Sequence, residues 1–486
     1  MSEIKNKTIS GVFWSATENF TNLGIQFIIG VIIARLVSPK EFGLIGMITI
    51  FIAISQTFID SGFVSALVRK QDVTRTDYST AFYYNLAVGT VFYLGLFFSA
   101  HAISRFFDEP QLTSLIRVLG LGLIIGALSI VQNAVLLRRV DFKLFAKIKI
   151  SSVIISGSIA IYLAYKGFGV WSLVARQLLD GFLTSLFLWI WNKFIPSLVF
   201  SIQSFRELFG YGSKLLASGL IHSIFENIYL VVIGRYFSAS ELGYYTRANS
   251  FYRLPSHSIT NIITRVAFPV LAQMQDNPVA LKSGYKRMVK TTMFLSFSLL
   301  IGMAAVSSPL ILTLIGEQWK PSIIFLQLLC FVGMLYPLHA LNLNLLNVLG
   351  RSDLFLKLEV FKKMMAIPVV VIGVSMGIKA MIFGMWIASF ISYYLNSYYS
   401  GRFINYPMRE QLHDIMPSFL ISIFMGVLVY FSGMFLPLGN SMKLILQITI
   451  GAAFVLTFSE LFKLEAYLYV KFLVKNKLTT MLNGRK

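Results

Sequence analysis

This chain of 486 residues lacks most of what marks a metalloprotein or an ATP-driven enzyme. It has one cysteine, Cys330, which excludes an internal disulfide and a cysteine-rich metal site. Its five histidines are scattered and form no HExxH pattern, so the sequence predicts no zinc site. It also has no phosphate-binding GxxxxGK[ST] loop, which argues against ATP hydrolysis. We therefore expect no catalytic residues, no metal and no cofactor.

Charged residues are scarce as well. They make up 13% of the chain, against about a quarter in soluble globular domains, whereas hydrophobic residues make up 56%. Hydrophobic runs of about 20 residues, the length a helix needs to cross the hydrocarbon core, follow one another from Gly11 to Leu461. A β-barrel would instead show alternating segments of about ten residues. The sequence therefore predicts an all-α polytopic membrane protein.

We predict about fourteen transmembrane helices. No break between them is long enough to fold into a catalytic domain, which again favours a protein that is not an enzyme. The predicted spans are 10–36, 41–66, 78–104, 112–136, 146–166, 168–192, 209–236, 241–268, 288–315, 321–349, 356–377, 379–402, 412–435 and 442–462.

The net charge of +21 would suggest nucleic-acid binding in a soluble protein. Here Lys and Arg concentrate in alternate breaks, on the same side as the N-terminus, and this bias sets the orientation of a membrane protein. We therefore predict a multi-pass protein of the cytoplasmic membrane with both termini cytoplasmic, and no nucleic-acid partner.

An internal repeat divides the chain. Residues 30–45 read GVIIARLVSPKEFGLI, and residues 230–245 read LVVIGRYFSASELGYY, with R-x-x-S-x-x-E-x-G shared at a fixed offset. Ser followed three residues later by Glu predicts a capping box at a helix start. The repeat predicts two parallel six-helix bundles around a central cavity. The predicted parts are an N-terminal lobe at 1–192, a C-terminal lobe at 209–402, an extra helix pair at 412–462 and a basic cytoplasmic tail at 463–486.

Polar stripes inside the spans are the sharpest functional signal. Ionisable side chains are costly at membrane depth, so we expect them to face a hydrated cavity. Spacing of four places the stripe of span 1 on one helix face. The candidate substrate-cavity residues are Asn22, Gln26, Lys214, Arg247, Asn249, Arg253, His257 and Arg265, and the candidate ion-coupling residues are Glu18 and Glu226.

Simpler interpretations stay open for several of these residues. Arg247 and Arg265 are also explained as span-end residues that only set topology, and Lys214 lies near one end of its span. Glu18 and Glu226 fit either coupling to a cation or pairing with a nearby arginine. Asp60 and Asp180 are assigned to the ends of their spans, at the membrane interface.

Several segments together resemble one family. They are GVIIARLVSPKEFGLIGM, LLRRVDFKLFAKI, GFGVWSLVARQLL, LIGEQWKPSI and NVLGRSDLFLKLE, together with the longer ELGYYTRANSFYRLPSHSITNIITRVAFPVLAQMQ, which covers span 8 with its terminal Pro269. Over residues 8–410 the chain resembles the polysaccharide transporter (Wzx-type, WzxC-like) branch of the MOP superfamily of lipid-linked oligosaccharide flippases.

The resemblance implies a function. Such proteins carry an undecaprenyl-pyrophosphate-linked oligosaccharide from the inner to the outer leaflet for O-antigen, capsule or exopolysaccharide, by alternating access through a cationic cavity. It implies coupling to H⁺, Na⁺ or the membrane potential, and partners among membrane lipids and other glycan-assembly proteins. The matching cavity candidates are Glu18, Lys214, Arg247 and Arg253. The alternative is a cation-coupled multidrug exporter of the same superfamily, against which the basic cavity argues.

Overall fold

The protein is described here by a computed structural model that covers residues 2–435 and 438–483. Side chains are described for residues 17–435, 438–472 and 475–476. The described residues are helical with no strand, so the predicted all-α class is confirmed. Packing divides the chain into two compact units, residues 1–243 and 244–486. We call them unit 1 and unit 2.

Unit 1 holds eight helices and the start of a ninth. They are α1 (Ser2–Leu36), α2 (Pro39–Asp60), α3 (Phe63–Arg69), α4 (Arg75–Phe107), α5 (Leu112–Arg139), α6 (Phe142–Tyr165), α7 (Val170–Asn192), α8 (Ile202–Tyr236) and α9 (Ala239–Ala272).

Unit 2 continues α9 and adds ten helices among its described residues. They are α10 (Pro278–Ala305), α11 (Ser307–Leu314), α12 (Ser322–Gly333), α13 (Tyr336–Val348), α14 (Ser352–Met364), α15 (Ala366–Met376), α16 (Ile378–Ile404), α17 (Met408–Phe435), α18 (Asn440–Leu461) and α19 (Glu465–Asn483). A 3₁₀ turn, Glu317–Trp319, precedes α12.

The predicted count of fourteen spans is not confirmed. Within the described part of the chain, twelve helical segments are long and apolar enough to cross a membrane. The predicted spans without a match are 241–268, which is α9, and 356–377, which divides into α14 and α15. Helix α9 carries too many polar residues, and α14 and α15 have only 13 and 11 residues.

The remaining domain boundaries stay predictions. The extra pair at 412–462 corresponds to α17 and α18, with residues 436–437 outside the described part of the chain. The tail at 463–486 is helical over Glu465–Asn483, and residues 484–486 lie outside the described part. The two packing units are a separate division that rests on contacts rather than on span number.

The repeated motif starts helices as its sequence predicts. The Ser38 backbone N–H and hydroxyl both donate to Glu41 Oε2, at 2.8 and 2.7 Å. In the second copy the Ser238 N–H donates to Glu241 Oε2 at 3.2 Å, and the Glu241 N–H donates to Ser238 Oγ at 3.1 Å. Each capping box satisfies backbone donors that the first helical turn leaves without partners.

The glycines of the two copies bring the copies together within unit 1. A Cβ added to Gly43 would lie 1.7 Å from the Ala239 carbonyl O, and one added to Gly243 would lie 1.9 Å from the Pro39 carbonyl O. The two contacts are reciprocal, because residues 39 and 43 of the first copy correspond to residues 239 and 243 of the second. Only glycine allows two helix backbones to approach this closely.

Helix α8 makes a similarly close contact with the break between α2 and α3. Ser61 and Gly62 both have left-handed backbone conformations there, with φ of 43° and 70°. A Cβ on Gly212 of α8 would lie 2.2 Å from the Ser61 carbonyl O. The Lys70 ammonium then donates to Glu207 of α8 at 2.8 Å. Near the other end of α8, a Cβ added to Gly234 would lie 2.9 Å from Met47 Cγ of α2, so α8 packs closely against α2 and α3 in both regions.

We expect Gly43→Ala to destabilise the protein, because the new methyl group collides with a backbone carbonyl that can move only if α2 and α9 separate. Overpacking of this kind costs about 1–3 kcal/mol. The measurement is the thermal unfolding midpoint of the purified protein in detergent, which should fall.

Gly24→Ala is the matched control for this substitution. No atom lies within 4 Å of a Cβ added to Gly24, and alanine has the higher helix propensity, so its midpoint should hold or rise. Equal midpoints for the two variants would contradict the glycine contact.

Candidate functional site

The face of helix α1 that packs toward α6 is polar in one part and apolar in the next. Its second half is apolar there, and Ile29 and Ile33 pack with Val153 and Ala160 in a buried cluster. Gly157 of α6 permits the close approach, since a Cβ there would lie 2.1 Å from Ile29 Cδ1. The first described half of α1 is polar on the same side, where Glu18, Asn22 and Gln26 recur at every fourth residue.

This polar half borders a cavity of about 380 Å³ inside unit 1. Its walls come from the middle of α1, the end of α5, the first half of α6 and the middle of α7. The polar lining consists of Glu18, Asn19, Asn22, Gln26, Lys149 and Asp180, and the apolar lining of Leu137, Phe142, Phe145 and Val153.

Some of the polar groups of the cavity are engaged with one another. The Gln26 side-chain amide donates to Asn22 Oδ1 at 3.1 Å. Glu18 is only 9% exposed and is among the buried polar residues. The positive charges of Lys149 and Arg176 attract the Asp180 carboxyl group. Asp180 Oδ1 is itself buried and accepts no hydrogen bond from the described residues.

The cavity unites three residues that the sequence assigned to separate roles. Glu18 is predicted to couple an ion, and Asn22 and Gln26 are predicted to contact substrate, yet all three line one space. Two further candidates, Lys214 and Glu226, lie on α8 of the same unit. The Lys214 side chain is exposed and that of Glu226 is half-buried.

The cationic candidates of α9 lie in unit 2. The Arg247 guanidinium lies 5.9 Å from the centre of the buried Trp319 ring. The His257 ring stacks on Tyr336 with 4.8 Å between ring centres. Arg253 and Asn249 are half-buried, whereas Arg265 is exposed near the end of the helix.

Helix α9 is fixed to α12 and α13 on the side next to these residues. The Ser256 hydroxyl donates to the Gly333 carbonyl at 3.0 Å. A Cβ on Gly333 would lie 2.5 Å from the Tyr252 ring, so the glycine makes room for that side chain. Pro255 lies inside α9 and removes one backbone donor there. The roles of the α9 residues as substrate contacts remain a prediction.

Sequence reasoning missed three polar residues of the cavity, Asn19, Lys149 and Asp180. The assignment of Asp180 to the end of a span is wrong, because Asp180 lies near the middle of α7 and lines the cavity. Lys149 and Asp180 are lone polar residues in different helices, so no spacing within one helix connects them. Their position within predicted apolar spans is the feature of the sequence that could have identified them.

A second cavity of about 350 Å³ lies near the first turn of α2 and the end of α8. Its two cations are already engaged, since Lys40 pairs with Glu109 at 3.3 Å and Arg235 lies 5.3 Å from the centre of the Phe106 ring. The cavity bordered by α1 therefore remains the better candidate for a ligand.

Comparison with known proteins assigns the chain to a family. A family model described as polysaccharide biosynthesis protein matches residues 32–324. This chain belongs to that family. The resemblance predicted from the sequence motifs is thereby confirmed at the level of this family.

Individual relatives agree with this assignment. The chain is 28% identical over 380 residues to the lipopolysaccharide biosynthesis protein WzxC of Escherichia coli, covering 77% of this chain and 76% of WzxC. It is 26% identical over 433 residues to the teichuronic acid biosynthesis protein TuaB of Bacillus subtilis, covering 88% and 90%. The fold is similar to that of the lipid II flippase MurJ, a structure solved in an inward closed conformation, with a TM-score of 0.77, 15% identity and coverage of 93% of this chain and 98% of MurJ.

We expect water to fill the unit 1 cavity, and thiol labelling tests this. Asn22→Cys should react with a membrane-impermeant maleimide in inside-out vesicles, because a thiol reacts as the thiolate, which forms in water. The native Cys330 is buried, so background labelling should be low.

Ile28→Cys serves as the control on the same helix. Ile28 is 59% exposed, in an apolar stretch where we expect lipid. Its cysteine should label far more slowly than Cys at position 22. Equal labelling rates at the two positions would show that the polar face of α1 borders no hydrated space.

Proposed function

We propose that this chain moves a polyprenyl-pyrophosphate-linked oligosaccharide from the inner to the outer leaflet of the bacterial cytoplasmic membrane by alternating access. The glycan serves a surface polysaccharide such as O-antigen, capsule or exopolysaccharide. The observation that carries the proposal is a polar cavity between helices that are long enough to span a membrane, in a chain of the polysaccharide biosynthesis family.

The physical need for such a cavity is clear. Hydroxyl groups and phosphates are costly to place in hydrocarbon without hydrogen-bond partners. A protein that carries a glycan head across the bilayer must therefore supply polar partners within the membrane, while the lipid tail stays in the hydrocarbon. The amide, carboxyl and ammonium groups of α1, α6 and α7 supply such partners.

Cations for the pyrophosphate come from other helices. Arg247 and Arg253 lie on α9, and Lys214 lies on α8. Guanidinium groups suit phosphate because their planar fork donates two parallel hydrogen bonds. A transporter must bind the pyrophosphate firmly on one side of the membrane and release it on the other. A few cations that leave the anion partly open to water meet both needs.

Coupling to an ion is part of the proposal. Glu18 lines the unit 1 cavity and Glu226 lies on α8, and a carboxyl group at membrane depth is suited to exchange a proton or hold Na⁺. Coupling to the membrane potential would require no dedicated site. The protein binds no organic cofactor in this scheme.

One observation favours the alternative of a cation-coupled exporter of cationic drugs. The unit 1 cavity contains two carboxyl groups and one ammonium group, so its lining is net acidic when all three are ionised. The family match and the arginines of α9 favour the glycan substrate instead.

Replacement of Arg253 tests the function. In a strain that lacks the native gene, Arg253→Ala should abolish surface polysaccharide and accumulate its lipid-linked precursor, because a central cation for the pyrophosphate is lost. Arg253→Lys should retain part of the export, since it keeps the charge without the fork. Surface polymer and precursor are measured with protein level as the reference.

Arg402→Ala is the matched control, since Arg402 is exposed in the last turn of α16. It should export normally. Full export by Arg253→Ala would refute the role of α9. A deletion strain that keeps its surface polysaccharide but becomes sensitive to cationic drugs would instead support the exporter alternative.

A further inference from the structure

The unit 1 cavity differs in charge from the cationic residues of α8 and α9, because carboxyl groups form part of its lining. Its ionisable lining is Glu18, Asp180 and Lys149. A pyrophosphate placed there would meet two carboxyl groups together with the Lys149 ammonium and the nearby Arg176 guanidinium, a set with no excess positive charge to attract it. The cavity is therefore a poor site for the anionic part of a lipid-linked glycan.

The same lining is well suited to hydroxyl groups. A sugar hydroxyl both donates and accepts a hydrogen bond, and the cavity offers amides that do both, carboxyl oxygens that accept and an ammonium that donates. Because Gln26 donates to Asn22 Oδ1, the Asn22 NH₂ group and the Gln26 carbonyl are left for a ligand as far as the described residues go. Asp180 Oδ1 adds a buried acceptor that receives no hydrogen bond within the described structure.

The remaining walls match the apolar face of a sugar ring. Phe142 and Phe145 of α6 line the cavity together with Leu137 and Val153. Small-ligand pockets combine such apolar walls with a few placed polar groups, in volumes of about 300–1,000 Å³. The 380 Å³ of this cavity fits a short piece of a glycan.

We infer that the unit 1 cavity is a subsite for the uncharged sugar portion of the lipid-linked substrate, distinct in chemistry from the residues that bind its pyrophosphate. This inference rests on the proposed function. It also gives a reason why Asn22, Gln26 and Asp180 lie at membrane depth in a protein whose substrate carries an anionic group.

Binding to two lipids tests the subsite. The full-length protein in nanodiscs is titrated with undecaprenyl pyrophosphate, which has no sugar, and with the undecaprenyl-pyrophosphate-linked oligosaccharide extracted from cells that lack this chain. Asn22→Ala and Asp180→Asn should each weaken binding of the glycan lipid by roughly tenfold, as expected for a lost hydrogen bond to a buried ligand. Binding of the sugarless lipid should change less than about twofold by the same reasoning.

Two matched variants control this experiment. Ile28→Ala, on the same helix but outside the cavity, should leave both affinities unchanged. Arg253→Ala should weaken binding of both lipids, because it removes a pyrophosphate contact. Thermal unfolding confirms that each variant is folded, and Gln26→Ala, at an exposed position, replaces Asp180→Asn if the latter does not fold.

The outcomes separate the subsite from the proposed function. Equal weakening of both lipids by Asn22→Ala, or weakening of neither, would overturn the sugar subsite while the flippase proposal stands. A wild-type protein that binds neither lipid would overturn both.

Discussion

A polar side chain inside a bilayer has no bulk water to bond, so it must find partners in the protein or border a hydrated space. The polar face of α1 at residues 18–26 follows this constraint. Glu18, Asn22 and Gln26 converge with Lys149 and Asp180 on one cavity. Farther along α1 the same side becomes apolar and packs tightly against α6. One helix thus contributes both a wall of the site and part of the core that fixes it.

Close helix contacts also hold together the parts of unit 1 that do not line the cavity. In lipid, helices gain little from burying apolar surface against each other, so they associate through tight packing and small residues. The reciprocal contacts of Gly43 and Gly243 between α2 and the start of α9 are of this kind, and Gly212 of α8 makes another with Ser61. Between Gly212 and Val232 the polar side chains of α8 are exposed or half-buried, with Ser223 as the buried exception.

Much of this arrangement is readable in the sequence, because membrane proteins impose simple rules. Spacing of four predicted that Glu18, Asn22 and Gln26 share a face, and the repeated Ser and Glu predicted both capping boxes. The same rules explain the failures. Asn249, Arg253 and His257 make α9 a functional candidate and also lower its hydropathy, so α9 does not qualify as a span by composition. Lys149 and Asp180 were missed as site residues because contacts between helices, unlike spacing within one helix, are not visible in a single sequence.

The central claim is that this chain carries a glycan-bearing lipid from one leaflet to the other, and the most direct measurement is leaflet exchange in a reconstituted system. Liposomes containing the purified chain and an undecaprenyl-pyrophosphate-linked oligosaccharide are treated from outside with an enzyme that cleaves the glycan. With an imposed proton gradient, sodium gradient or membrane potential, the cleaved fraction should rise from about the outer-leaflet share toward completion. A cleaved fraction equal to that of protein-free liposomes under all three driving forces would contradict the account.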